Sequence, residues 1–247
     1  VLHSPAELSL TVLVAPAIAE IEQRAEECGA DVFVYGEDFS AQLFLKEGGQ
    51  SIVFHSVVCR EPAPFELALA GPYQTENAAL VIMAAQVLGR EDARITETAL
   101  RSALRSVHHP ARFEILAAEN LQVVIDGAHN PAGMQALRAG LDAYFPHVPR
   151  VFLLGILKDK DIDAMLAALL RPGDRVVTVR PNSVRAAGAD VVAAVAAGMG
   201  LDTLACGDVQ TGLAEAERRA RADGALLVAA GSLYLVGGIR ALLTAGR

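Results

Sequence analysis

The residues best suited to chemistry stand in one run, Asp126, Gly127, Ala128, His129, Asn130 and Pro131, directly after the apolar segment Leu121 to Ile125. Asn130 and Pro131 are accounted for by a helix start: the asparagine oxygen accepts an orphan N–H, and proline has none to leave unpaired. Asp126 and His129 have no such explanation. A carboxylate at a strand end can accept hydrogen bonds from ribose hydroxyls, and an imidazole beside a helix N-terminus can donate to a phosphate. A second run, from Gly231 and Ser232 through Leu233, Tyr234, Leu235, Val236, Gly237, Gly238 and Ile239 to Arg240, follows the apolar stretch Ala225 to Ala229. There a strand, a glycine and a serine opening a helix make a small anion hole; the alternative is that Ser232 only caps the helix.

Single cations complete the candidates. Lys158, Asp159, Lys160 and Asp161 follow Val151 to Leu154, and read either as a solvated helix start capped by Asp161 or as an ammonium presented to an acidic substrate. Arg112, just before Phe113 to Leu116, and Arg180 with Arg185, after Arg175 to Val179, are placed to face anions; Gln74 and Asn77 flank the start of an apolar helix. Only three lysines occur, Lys46, Lys158 and Lys160, and none follows a glycine, so the chain holds no GxxxxGK[ST] phosphate loop. Cys28, Cys59 and Cys206 have no CxxC spacing, which suggests neither a disulfide framework nor a zinc site and fits a reducing, cytoplasmic setting.

Two kinds of segment must position these residues. Ala17 to Cys28 predicts a helix ended by Gly29, followed by short strands at Asp31 to Tyr35, Ala41 to Leu45, Ser51 to His55 and Phe65 to Leu69, punctuated by Gly36, the Gly48/Gly49 pair and Pro62/Pro64. These read as an antiparallel meander. Thr75 is expected to cap a helix reaching about Leu88, and a further helix spans Ile95 to Val107. His108, His109 and Pro110 end the pattern, which places a domain boundary at 109/110.

Beyond it, strands and helices alternate. Strands are expected at Leu121 to Ile125, Val151 to Leu154, Arg175 to Val179, Asp202 to Ala205 and Ala225 to Ala229, and helices at Pro131 to Tyr144, Ile162 to Leu170, Ala189 to Ala197, Gly212 to Ala222 and Leu233 to Leu243. Such alternation predicts an α/β fold with a mostly parallel sheet covered on both faces, whose ligands sit beyond the carboxyl ends of the strands.

The 247 residues are 53% hydrophobic and 20% charged, a composition that excludes disordered and collagen-like classes. The uncharged stretch Ala225 to Ile239 is too short and glycine-rich to span a bilayer. A net charge of −8 argues against a broad nucleic-acid footprint, so an anionic ligand must be met by particular residues.

Taken together, the segments resemble the folylpolyglutamate synthase and dihydrofolate synthase family within the Mur ligase superfamily. Gly71, Pro72, Tyr73, Gln74, Asn77, Ala78 and Ala79 resemble its glycine-histidine-glutamine and asparagine-alanine-alanine helix start. Pro110, Ala111, Arg112, Phe113 and Glu114 resemble its proline-glycine-arginine-phenylalanine-glutamate linker. Asp126 to Pro131 matches its aspartate-glycine-alanine-histidine-asparagine-proline loop, Lys160 and Asp161 sit in its lysine-aspartate segment, and Gly231 onward matches its glycine-serine-leucine-tyrosine-leucine-valine-glycine signature. Tyr73 and Ala111 depart from the family's histidine and glycine.

The resemblance implies a Rossmann-like C-terminal domain, residues 110–247, preceded by a remnant of the central ATPase domain, residues 1–109, with helices and antiparallel strands. It implies an ATP-dependent, monomeric ligase that phosphorylates a folate or dihydropteroate carboxylate and joins L-glutamate to the acyl phosphate. Asn77, Arg112, Asp126 and His129 would serve the nucleotide, His129 and Lys160 the chemistry, and Lys160 and Ser232 the glutamate; most Mg2+ ligands would lie upstream. Val1 in place of methionine and the missing phosphate loop suggest a fragment that is inactive alone. The alternatives are a peptidoglycan-precursor ligase fragment acting on a muramyl nucleotide, and a stand-alone non-catalytic module binding a nucleotide or an amino acid.

Overall fold

A computed structural model describes residues 8–11, 15–46, 49–59, 61–118 and 120–244. The chain divides into two compact units, one comprising Val1–Ala68 and Pro72–His108, the other Leu69–Gly71 and His109–Arg247.

In the first unit, β1 (Leu8–Thr11) and β2 (Asp31–Val34) pair in parallel, with α1 (Ala15–Cys28) between them in the chain. The expected meander therefore loses its first member: a helical crossover makes β2 a parallel neighbour of β1, a strand the sequence patterning misses. The remaining strands form the antiparallel sheet, β3 (Phe39–Lys46), β4 (Gly49–Ser56) and β5 (Ala63–Leu67), with Leu43 opposite Ile52 and Ile52 opposite Phe65. Gly48 of the expected turn pair lies outside the described residues. Against the sheet pack α2 (Tyr73–Leu88) and α3 (Glu97–Ser106), burying Phe39, Ile52, Phe54, Phe65, Ile82 and Met83. Thr75 is not the cap of α2: Pro72, with φ −57°, starts the helix, leaving Thr75 buried in the first turn with no partner for its hydroxyl. Thr96 does cap α3, accepting from the Ala99 N–H at 3.1 Å.

The second unit is an α/β fold around a six-stranded sheet in the order β10-β9-β8-β11-β7-β6. Its strands are β6 (Glu114–Ala118), β7 (Leu121–Ile125), β8 (Arg150–Leu154), β9 (Arg175–Thr178), β10 (Asp202–Ala205) and β11 (Leu226–Ala230). All pairings are parallel except that of β6 with β7 at one edge. The intervening helices are α4 (Pro131–Tyr144), α5 (Ile162–Leu169), α6 (Ala189–Gly198), α7 (Val209–Asp223) and α8 (Leu233–Thr244). Every residue of β8 and β11 is buried, as parallel strands covered on both faces must be. From β8 the chain builds outward through β9 and β10, then returns with β11 into the gap between β8 and β7. That reversal falls at the carboxyl ends of β7, β11 and β8, the position at which open parallel sheets bind ligands.

Leu69–Gly71 belongs to this unit because the Gly71 N–H donates to the Tyr144 hydroxyl at 3.0 Å. Tyr144 in turn lies 5.2 Å from the ring of Phe113, which is 1% exposed and lies against α4 at Gly140. A Cβ at Gly140 would fall 2.5 Å from Phe113 Cε2, with the ring boxed in. Gly140→Ala is expected to cost about 1–3 kcal/mol through overpacking, read as a lowered urea midpoint with an unchanged m-value.

On α7, hydrogen bonds from Arg218 and Arg219 hold the Glu215 carboxyl down to about 2, from an ordinary value of 4.5. Because the folded value is the lower, this contribution to stability is complete above about pH 4.5 and is lost as pH falls toward 2. Glu215→Gln is expected to flatten that part of the acid limb of a stability-against-pH curve while leaving the neutral region nearly unchanged.

Candidate functional site

Asp126 follows β7 directly and continues its ladder, its N–H donating to the Ala229 carbonyl at 3.0 Å. Its carboxylate turns inward, with the residue only 4% exposed. One oxygen accepts the Phe113 N–H at 2.9 Å and the other the Ala128 N–H at 2.7 Å. Charge-assisted bonds of this kind are the strong ones, so Asp126 ties the loop after β7 to the linker before β6. The Gly127 N–H adds a second tie, to the Ala111 carbonyl at 2.8 Å. A Cβ on Gly127 would meet Leu233 Cδ2 at 2.6 Å, so glycine lets this loop lie against the start of α8. His129 is half-buried with Nδ1 2.9 Å from the Gly127 carbonyl. A carbonyl only accepts, so Nδ1 carries the proton in this contact and Nε2 is the nitrogen left for a ligand. Asn130 caps α4, accepting from the Gly133 N–H at 2.7 Å.

The linker holds Arg112 between two residues of positive φ, Ala111 at 58° and Phe113 at 47°. For L residues this conformation costs roughly 1–2 kcal/mol each, so it persists only where neighbours enforce it. Here they do. The Ala111 N–H donates to Glu114 at 2.8 Å, the Phe113 N–H to Asp126, and the Phe113 ring is buried. Between these fixed points Arg112 is exposed and has neither hydrogen bond nor ion pair among the described residues. Glu114, itself buried, receives Arg240 Nε of α8 at 3.0 Å on both oxygens. Glu114 and Arg240 are structural members of the site to which sequence reasoning gave no role. A charged residue within an otherwise apolar edge strand was the available signal.

At the end of β11, Gly231 takes φ 116° and donates its N–H to the Ala128 carbonyl at 3.0 Å. Ser232 is 1% exposed: its hydroxyl donates to the Gly155 carbonyl beyond β8 at 2.8 Å and accepts the Leu235 N–H at 3.2 Å. The three strand ends are thus bonded to one another, and the Ser232 hydroxyl proton is used inside the protein. Beyond Gly155, Asp161 caps α5, accepting from Ala164 N–H at 2.9 Å, and Lys160 stands half-buried before it. Lys158 is exposed. Arg185, from the loop after β9, reaches Asp159 at 2.5 Å and holds the Asp159 carboxyl below the ordinary carboxylate range.

The structure therefore gathers Arg112, Asp126, His129, Lys160 and Ser232 within the second unit. Asn77 belongs to the first, where its side-chain amide donates to Gln74 Oε1 at 3.0 Å at the start of α2. No group of three His, Cys, Asp or Glu side chains suited to a metal ion occurs among the described residues.

The Mur ligase glutamate ligase domain matches residues 111–233, which contain the linker, the loop after β7 and the turn at Ser232. A probable bifunctional folylpolyglutamate synthase/dihydropteroate synthase of Halobacterium salinarum is 40% identical over 172 residues, 69% of this chain and 20% of that protein. The chain belongs to the folylpolyglutamate synthase and dihydrofolate synthase family of Mur ligases. The folylpolyglutamate synthase of Lacticaseibacillus casei is 34% identical over 155 residues, 62% of this chain and 36% of that one. Among solved structures, the Mycobacterium tuberculosis folylpolyglutamate synthase complexed with ADP and AMPPCP superposes with a TM-score of 0.82 at 26% identity, covering 98% of this chain and 56% of that one. The chain thus spans well under half of these curated relatives and about half of the solved one.

The buried polar residues Asp126 and Ser232 brace this region, whereas the side chains of Arg112 and Lys160 take no part in that bracing. Asp126→Ala and Ser232→Ala are each expected to lower stability by about 1–3 kcal/mol, since each strands buried backbone groups. Arg112→Ala and Lys160→Ala should stay within about 0.5 kcal/mol of the parent. Urea unfolding of the four variants checks the division.

Proposed function

We propose that these residues form part of an ATP-dependent ligase that adds L-glutamate to folate or dihydropteroate through an acyl phosphate. The observation that carries this reading is the bonding of the loops bearing Asp126, Gly231 and Ser232 into one floor at the carboxyl ends of β7, β11 and β8, with Arg112, His129 and Lys160 on the adjoining segments. An amine attacking an acyl phosphate needs positioning and neutralisation of charge more than covalent help from the protein. Arg112 and His129 are proposed to meet the nucleotide phosphates, with Asp126 serving the nucleotide chiefly through the linker and loop it holds. Lys160 is proposed to neutralise the incoming glutamate, with His129 beside it in the chemistry. With its hydroxyl bonded inward, Ser232 acts on the glutamate by fixing the first turn of α8, whose N–H groups favour a carboxylate.

ATP, when bound, supplies the phosphoryl group that activates the acceptor carboxylate. The described residues do not form a Mg2+ site, so the metal is proposed to enter with the nucleotide on ligands outside them. No GxxxxGK[ST] loop occurs in the 247 residues, which by themselves are proposed to turn over no ATP. No helix of the described residues is long and apolar enough to cross a membrane, and the proposed reaction belongs to the cytoplasm, acting on small molecules as a monomer.

The test is steady-state kinetics of Arg112→Ala in an active ligase that contains these residues. An isolated cation lost from a phosphate is expected to raise the KM for ATP about tenfold or more, as charge-assisted hydrogen bonds contribute roughly 1.5–3 kcal/mol each. Unchanged ATP dependence would remove Arg112 from the nucleotide site.

A further inference from the structure

Lys160 sits in a turn whose charges are shared. Asp159 Oδ2 lies 2.5 Å from Arg185 Nη2 and 4.0 Å from Lys160 Nζ, so one carboxylate oxygen faces two cations and is held by the first. The loop bearing Arg185 is fixed to the same turn through its backbone: the Lys158 N–H donates to the Arg185 carbonyl at 2.8 Å, the Ala187 N–H to the Ile156 carbonyl at 2.9 Å, and Leu157 bridges Ala186. The turn itself closes with the Lys160 N–H on the Leu157 carbonyl at 3.1 Å. Arg185 thus arrives from a second strand end, its guanidinium directed to the carboxylate nearest Lys160.

We propose that Arg185 is a positioning residue for Lys160: by occupying Asp159 it keeps the Lys160 ammonium available to an anionic substrate. Without Arg185, the cation left facing Asp159 is Lys160, already 4.0 Å away, and the pair would tighten on itself. The proposal rests on the reading of Lys160 as the cation that meets glutamate, and it names what keeps that cation open. Both partners are substantially exposed, so the effect is a shift in a charge's preferred neighbour and not a change in fold.

Lysine acylation tests it on the chain as it stands, because Lys46, Lys158 and Lys160 are its only lysines and each is resolved by peptide mass spectrometry. With a limiting N-hydroxysuccinimide ester, Arg185→Ala is expected to slow acylation of Lys160 about threefold or more, with Lys46 unchanged as the internal reference, since an ammonium paired with a carboxylate is harder to deprotonate. Adding Asp159→Asn should return Lys160 to within about twofold of the parent rate. An unchanged Lys160 rate in Arg185→Ala, or a double variant as slow as the single, overturns the proposal; simple collapse of the loop predicts the latter. The Lys160 reading is tested separately in an active ligase containing these residues, where Lys160→Ala must raise the KM for L-glutamate and Arg185→Ala must raise it with kcat nearly unchanged. If Lys160→Ala leaves that KM unmoved while the acylation pattern holds, the substrate reading falls and the charge-sharing stands.

Discussion

The second unit depends on one buried carboxylate. Asp126 takes the Phe113 N–H on one oxygen and the Ala128 N–H on the other, and so joins the residues before β6 to the residues after β7. Without it, Phe113 loses the hydrogen bond that helps hold it at φ 47°, and the linker that sets Arg112 between two left-handed residues keeps only the buried Phe113 ring and the Glu114 contact to enforce it. Glu114 reinforces the same bracket from the other side, holding the Ala111 N–H and pairing with Arg240 on α8. Strain of roughly 1–2 kcal/mol per residue is therefore maintained by two acids that face the protein and not the solvent.

Geometry at the ends of β7, β11 and β8 follows from the same satisfaction of polar groups. Backbone carbonyls at Gly155 and Ala128 and the hydroxyl of Ser232 are satisfied within the protein, so the strand ends form a fixed floor. Around it stand Arg112, Lys158 and Lys160, with Asp159 between Lys160 and Arg185, and the imidazole of His129 set by the Gly127 carbonyl. A fixed floor with cations beside it is suited to anionic small molecules, because little has to reorganise when the charge arrives.

Much of this fold was legible in the sequence, and the reasons are local. α4 begins where Asn130 and Pro131 announce it, and β7 keeps its expected bounds because it is an apolar run rich in β-branched residues and ended by Asp126 and Gly127; β10 keeps its bounds between Gly200 and Gly207. Other elements were not legible. β1 is four residues long, too short to show a period, and so β2 was assigned to the wrong sheet. α2 starts at Tyr73 because Pro72 presets the backbone, which overrides the capping preference of Thr75. α7 starts at Val209, before the expected Gly212, since Asp208 caps it through the Thr211 N–H.

For the candidate residues, the sequence pattern sets the place along the strands and helices but not the direction they face. The type and place of Asp126 and Ser232 follow from strand ends and helix starts, yet both turn inward, and only the packed structure decides that. Glu114 and Arg240 are 126 residues apart, and no local pattern could pair them. The central claim, that this floor and its cations belong to a glutamate ligase acting on folates, is tested most directly by incorporation of radiolabelled L-glutamate in the presence of ATP by an active ligase containing these residues. Labelled product on folate or dihydropteroate, with stoichiometric ADP and none on a muramyl nucleotide, is the predicted result; label on the muramyl acceptor alone, or none without loss of nucleotide binding, would contradict it.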